Sequence, residues 1–170
     1  SMLRAMDQEG IDMSIVFNTL CRGHVTLDNL DPGYVTAVCR AFNDYCADFC
    51  KEDSNRLKGC ALITLHDVDS AIHEARRAVN ELGMTALTIN PNPVNGLYLH
   101  DPECDPLWRE AEALNVPICF HETNAGFSPN HLANYLREHP NATTLTQIFS
   151  QPSSLMHAIG SLIIGGVFDR

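Results

Sequence analysis

The chain has 170 residues, 45% of them hydrophobic, and its 11 lysines and arginines against 21 aspartates and glutamates give a net charge of −10. This composition is typical of a packed globular protein and excludes an intrinsically disordered one. The acidic balance argues against nucleic acid or an anionic membrane as the main partner, but not against an anionic small molecule held in a local field of opposite sign.

The cysteines indicate a compartment without structural disulfides. Their number, seven, is odd, so they cannot all pair within one chain, and none forms a Cys-x-x-Cys pair. Several lie among apolar residues, where a free cysteine behaves as a small hydrophobic side chain. We therefore predict a reducing, cytoplasmic location. No apolar run reaches the length of a membrane span.

Apolar runs alternate with helical periods from the start of the chain. Residues 13–17 form a short, nearly continuous apolar run, as in a strand buried on both faces. Asp31-Pro32 then predicts a helix start, because an acidic N-cap precedes a proline at the first helical position. Steps of three and four place the following apolar side chains on one helix face, namely Val35, Val38, Phe42, Tyr45 and Phe49.

Three further strands follow, at residues 59–64, 84–89 and 116–120. The helix after the second strand carries an apolar stripe from Val68 to Leu82 and ends at Gly83, and Asp105-Pro106 begins a short helix before the fourth strand. An apolar helix is predicted near residues 155–164. This alternation predicts βαβ units with a parallel sheet, in a single domain over residues 1–170.

Polar residues follow each apolar run, at the carboxyl ends of strands, where parallel α/β folds bind ligands. Most strands end in a polar residue, so a purely structural reading stays open. His121 stands out because no turn residue separates it from the fourth strand, and neutral imidazole is a common metal ligand. The candidate substrate-binding residues are Asn18, Thr64, His66, Asn90, Asn92 and Glu122.

Other kinds of site find little support in the sequence. No two histidines are spaced as His-x-His or i, i+4, so a self-contained zinc motif is absent. There is neither a glycine-rich phosphate loop nor a Gly-x-Ser-x-Gly elbow. Arg56 precedes the second strand and so lies at the amino end of the sheet, where a structural role is expected.

Seven short motifs come in the order seen in one family. They are Met6–Asp12, Phe42–Tyr45, Arg56–Gly59, Asn90–Pro93, Leu99–Pro102, Asp105–Trp108 and Val116–Glu122. With them the sequence resembles the amidohydrolase-related metal-dependent hydrolases, in the branch that includes aminocarboxymuconate-semialdehyde decarboxylase. The similarity resumes at residues 165–168.

The resemblance implies a (β/α)₈ barrel with a divalent metal, often zinc, at its carboxyl mouth. The family's ligands are a His-x-His pair on the first strand, a histidine on the fifth, which His121 matches, and an aspartate on the eighth. The four predicted strands correspond to the second through fifth. The resemblance therefore implies a partial barrel with C-terminal helices, truncated at both ends.

Two hypotheses follow for the function. The first is a fragment of a metal-dependent hydrolase or decarboxylase acting on a small carboxylate or ring-derived substrate, inactive alone because one imidazole holds zinc too weakly. The alternative is a non-catalytic α/β module that self-associates or binds a partner through open sheet edges. A homo-oligomer is expected in either case. An open flavodoxin-like domain is a third reading, disfavoured by the missing phosphate loop.

Overall fold

The computed structural model describes residues 1–18, 25–121, 138–139, 148 and 151–170. The elements in chain order are α1 (Met2–Glu9), β1 (Ser14–Val16), α2 (Pro32–Cys50), β2 (Leu57–Leu62), α3 (Val68–Asn80), β3 (Ala86–Ile89), α4 (Asp105–Ala113), β4 (Ile118–Phe120) and α5 (Gln151–Ile164). Short 3₁₀ turns precede α4 and follow α5. Within these ranges no helix is both long and apolar enough to cross a membrane.

The four strands form one parallel sheet in the order β1-β2-β3-β4. Cys60 lies opposite Ala86 in the β2–β3 pair, and Thr88 lies opposite Cys119 in the β3–β4 pair. A helix connects each strand to the next, which confirms the predicted βαβ units. The helix starts follow from their caps, since the Asp31 side chain accepts a hydrogen bond from the Tyr34 N–H at 2.8 Å.

The sheet is strongly curved. Its two edge strands are three strands apart, a distance of about 14 Å in a flat sheet. However, the rings of Phe17, just past β1, and His121, just past β4, have centroids only 5.7 Å apart. The two rings therefore meet on the concave side of the sheet, as expected for half of a parallel barrel.

The two faces of the sheet have different roles. Apolar side chains such as Ala61, Leu87 and Ile89 pack with Ala75 of α3 and Leu107 of α4 in the main hydrophobic core. Because side chains alternate along a strand, the residues between them face the other way. Register and this alternation place Cys60, Ala86, Thr88, Cys119 and His121 together on the concave face.

The side chain of Asn43, on α2, hydrogen-bonds to the backbone of β2 beyond the point where β1 ends. Its side chain is fully buried, accepts a hydrogen bond from the Leu62 N–H at 2.7 Å and donates to the Leu62 carbonyl at 3.1 Å. It also donates to Glu74 Oε1 at 2.8 Å, and the buried Glu74 carboxylate accepts from Arg77. Since β1 pairs with β2 only as far as Gly59, the carboxamide replaces the missing strand partner of Leu62.

Two sequence predictions need correction. The predicted inward position of Tyr45 is wrong, because its side chain is 64% exposed. The buried face of α2 is instead centred on Cys39, Asn43 and Cys46, since Asn43 must reach Leu62 and the small thiols allow close packing. Strand β2 starts at Leu57, two residues before the predicted start, and helix α1 was not predicted at all.

The buried cysteines are packing residues, as predicted. Burial, with a contribution from Cys50, raises the pKa of Cys46 to about 12. Burial and the neighbouring Cys119 also raise the pKa of Cys60. These thiols therefore stay protonated at neutral pH, and all of the cysteines in the described part of the chain are free.

Arg56 connects elements at the amino end of the sheet. Its guanidinium donates to Asp7 Oδ1 at 2.6 Å, to the Ile11 carbonyl at 2.8 Å and to the Asp12 carbonyl at 3.1 Å. The Arg56 carbonyl accepts from the Ser14 N–H at 2.8 Å. One side chain thus fixes α1 and the start of β1 to β2, in agreement with the structural role expected for it.

Candidate active site

The loop after β1 is bound to the end of β2. Thr64 Oγ1 and His66 Nδ1 are 2.6 Å apart, and His66 Nε2 lies 2.8 Å from the Leu27 carbonyl. A carbonyl can only accept, so Nε2 carries a proton. The Thr64 hydroxyl also lies 3.4 Å from the Val25 carbonyl. His66 therefore bonds to this loop through Nε2, while its Nδ1 pairs with the Thr64 hydroxyl at the end of β2.

The loop after β3 joins the same rim. Asn90 Oδ1 accepts from the Asn92 N–H at 2.9 Å, which forms an Asx turn directly after the strand. Further along, the Asn95 N–H donates to Asp28 Oδ1 at 2.6 Å, and the Asn29 N–H donates to Asn95 Oδ1 at 2.7 Å. These bonds cross above β2 and connect the first and third loops directly.

His121 lies at the end of β4 and faces the concave side. Its backbone N–H donates to the Ile89 carbonyl at 3.3 Å, so the pairing of β3 with β4 continues to this residue. The half-buried imidazole packs edge to face on Phe17, with an interplanar angle of 65°. The strand and the neighbouring ring thus hold a potential ligand at the carboxyl mouth.

Asn18, the residue after Phe17, is fully buried, and among the described residues neither its Oδ1 nor its Nδ2 has a hydrogen-bond partner. A buried amide without a partner costs about 1–3 kcal/mol, so such groups are rare in folded proteins. A polar ligand or an ordered water bound at this position would remove that cost.

The structure brings most of the predicted site residues to one mouth. His121 and Asn18 follow its two edge strands, whereas Thr64, His66, Asn90 and Asn92 lie in the rim and bond to one another or to loop backbone. Glu122 lies outside the described residues. Phe17, which contacts His121, was not predicted as part of the site, although it lies directly before Asn18 in the sequence.

The imidazole of His121 is the one side chain at this mouth that is well placed, among the described residues, to bind a metal ion. Among the described residues, no three histidine, cysteine, aspartate or glutamate side chains come together as a ligand group. His121 is compatible with the role of a metal ligand, but the described residues do not complete a set of three such ligands around it.

Comparisons with known proteins identify the family. The amidohydrolase family model matches residues 1–170, the whole chain. The chain belongs to the amidohydrolase family. Among relatives of this amidohydrolase chain is the gamma-resorcylate decarboxylase of Rhodococcus jostii, 34% identical over 141 residues. That alignment covers 78% of this chain but only 41% of the relative.

Solved structures of amidohydrolases confirm the partial barrel. The 2,6-dihydroxybenzoate decarboxylase from Rhizobium superimposes with a TM-score of 0.82 at 25% identity, over 99% of this chain and 51% of that one. A dihydroxybenzoic acid decarboxylase from a Polaromonas species, with bound manganese and the inhibitor 2-nitroresorcinol, gives 0.67 at 26% identity, over 81% and 41% of the two chains. The chain thus corresponds to about half of a barrel.

Proposed function

We propose that this chain forms part of the active site of a metal-dependent decarboxylase acting on a small aromatic acid. The observation that carries the proposal is the position of His121, held by β4 on the concave face at the carboxyl mouth. The relatives described above favour decarboxylation over hydrolysis, because they are named as decarboxylases of hydroxylated benzoic acids.

In this reaction the carbon–carbon bond to the carboxylate breaks, carbon dioxide leaves, and the electron pair left on the ring carbon takes up a proton from water to form a carbon–hydrogen bond. A bound divalent metal would supply positive charge for the substrate's carboxylate and neighbouring oxygen. His121 would hold that metal through a ring nitrogen, and Asn18 and Glu122 would hydrogen-bond the substrate. Imidazole suits zinc, our first expectation, whereas manganese, which the Polaromonas relative binds, prefers oxygen ligands.

The other four candidates are assigned a supporting part. Thr64 and His66 fix the loop after β1, and Asn90 and Asn92 shape the turn after β3. They would therefore bound the substrate cavity rather than react. We expect the isolated chain to be inactive, because a single imidazole binds zinc far more weakly than three or four ligands do.

Manganese titration of the chain, followed by NMR of its histidine rings, tests the ligand assignment. The paramagnetic ion should broaden the His121 ring protons at lower concentration than those of His73, an exposed histidine on α3. Broadening of His73 and other surface rings before His121 would refute the metal role. Addition of 2,6-dihydroxybenzoate should then shift the Asn18 side-chain amide, and no carbon dioxide release is expected.

Self-association is the second candidate function, and it is favoured by exposed apolar surface at both edges of the sheet. Met13 and Ile15 at β1 are 56% and 52% exposed, and a groove of about 460 Å³ runs along the other edge, lined in part by Ile118, Phe120 and Phe168. A second copy of the chain would cover such surface. Sedimentation velocity at micromolar concentration should show dimers or larger species; a single monomeric boundary would refute this candidate.

A further inference from the structure

The Asn90 side chain lies on the concave face, next to the strand end that carries His121. Ile89 packs in the main core, so the alternation along β3 turns Asn90 to the same face as Thr88. Ile89 pairs with Phe120, and its carbonyl accepts from the His121 N–H. Asn90 and His121 therefore come next on two neighbouring strands, which lie about 4.8 Å apart. The two residues bound the same part of the mouth.

Hydrogen bonding fixes the orientation of the half-buried Asn90 carboxamide. One of its atoms accepts the Asn92 backbone N–H at 2.9 Å, and because a backbone N–H only donates, this atom is the oxygen Oδ1. The Asn92 side-chain Nδ2 donates to the same oxygen at 3.1 Å. Among the described residues, these are the hydrogen bonds of this side chain, and both use Oδ1. The Asn90 Nδ2, with its two N–H donors, is thus left for a ligand at the mouth.

We infer that Asn90 is a specificity-determining residue that donates hydrogen bonds from Nδ2 to the carboxylate of the substrate. The inference rests on the proposed function, because it requires an aromatic acid to bind at this mouth. A carboxylate only accepts hydrogen bonds, and a bond to an ionised acceptor is stronger than one between neutral groups. The fixed carboxamide therefore selects an acid over the same aromatic ring without its carboxylate.

Asn90→Asp is the decisive variant, because it keeps the turn and removes the donors. One aspartate oxygen accepts the same two bonds from Asn92, whereas the other replaces the two N–H donors with a charged acceptor. Asn90→Ala removes the donors without adding charge. Asn95→Asp is the matched control, since it adds the same charge in the same loop at an exposed residue. The Asn95 Oδ1 accepts from the Asn29 N–H, a bond that aspartate also makes.

Titration of the chain with 2,6-dihydroxybenzoate, followed by NMR of the Asn18 side-chain amide, measures the affinity for the acid. Wild type and Asn95→Asp should bind it equally. Asn90→Ala should bind it roughly 10-fold more weakly, because a hydrogen bond to a charged group is lost, and Asn90→Asp more weakly still. For 1,3-dihydroxybenzene, the same ring without the carboxylate, all four proteins should have the same affinity.

Each other outcome assigns the failure. An unchanged affinity of Asn90→Asp for the acid, with an unshifted Asn92 N–H resonance showing an intact turn, would overturn the inference and leave the proposed function standing. An equal loss for the acid and for 1,3-dihydroxybenzene would also overturn it, since Asn90 would then not recognise the carboxylate. If Asn90→Asp weakens acid binding while manganese broadens surface rings before His121, the metal role fails and the inference stands. An acid that shifts no resonance at the mouth of the wild-type chain would refute both.

Discussion

Replacement of Asn43 by leucine should be among the most destabilising single changes in this chain. Leucine has a similar size, so the change removes hydrogen bonds with little change in volume. The Leu62 N–H and carbonyl would both lose their partner, and buried Glu74 would lose one donor. A stranded buried backbone group costs about 1–3 kcal/mol, so the two together predict a loss of about 2–6 kcal/mol. This is a large fraction of a typical stability of about 5–15 kcal/mol.

Equilibrium unfolding in urea measures this loss. Trp108, the single tryptophan, lies on α4 against the core and reports unfolding by fluorescence. Asn80→Ala is the control, because Asn80 is exposed at the end of α3 and its removal should change the unfolding free energy by less than about 0.5 kcal/mol. If Asn43→Leu lies within about 1 kcal/mol of wild type at an unchanged m-value, the view that Asn43 replaces a strand partner is wrong.

Three other changes have defined outcomes. The hydrogen bond from Ser70 lowers the pKa of Asp67, so the contribution of this helix cap to stability is present at neutral pH and is lost as pH falls through the lowered folded pKa. Asp67→Ala should therefore cost about 1 kcal/mol at pH 7. The difference from wild type should vanish when urea unfolding is measured at acid pH. His66→Ala should speed amide hydrogen exchange at residues 25–30 with little change in global stability, and equal exchange would contradict the loop-holding role. A Cβ at Gly59 would collide with Met84 Sδ, so Gly59→Ala should lose about 1–3 kcal/mol in urea unfolding. This loss should be smaller when Met84 is also replaced by alanine, and equal losses in the two backgrounds would exclude the clash.

Strand and helix order could be predicted from the sequence because local signals specify it. Asp31-Pro32 marks the start of α2, and the apolar runs mark all four strands. The buried face of α2 could not be predicted from the apolar stripe, because a carboxamide is buried at Asn43 for a hydrogen-bonding reason. The exposed Tyr45 has the same explanation. The spacing of apolar residues along α2 reports hydrophobicity, but it does not report which hydrogen-bond partner a side chain of the helix must reach.

The mouth was predictable in outline and not in detail. Parallel strands bring their carboxyl ends to one edge, so the convergence of Asn18, Thr64, Asn90 and His121 follows from topology. The contact between Phe17 and His121 does not, because it spans three strands and depends on the curvature of the sheet. The use of both His66 nitrogens by the rim likewise depends on where the first loop lies.

The hydrogen bonds of Arg56 have an evolutionary consequence. Its partners, Asp7, Ile11 and Asp12, all lie at the end of the sheet remote from the mouth, and none belongs to a rim loop. Substitutions around the cavity during divergence toward new substrates would therefore leave these Arg56 hydrogen bonds intact. Substrate specificity can then change while the fold stays stable, because mutations at the carboxyl end of the sheet do not disturb the contacts at its amino end.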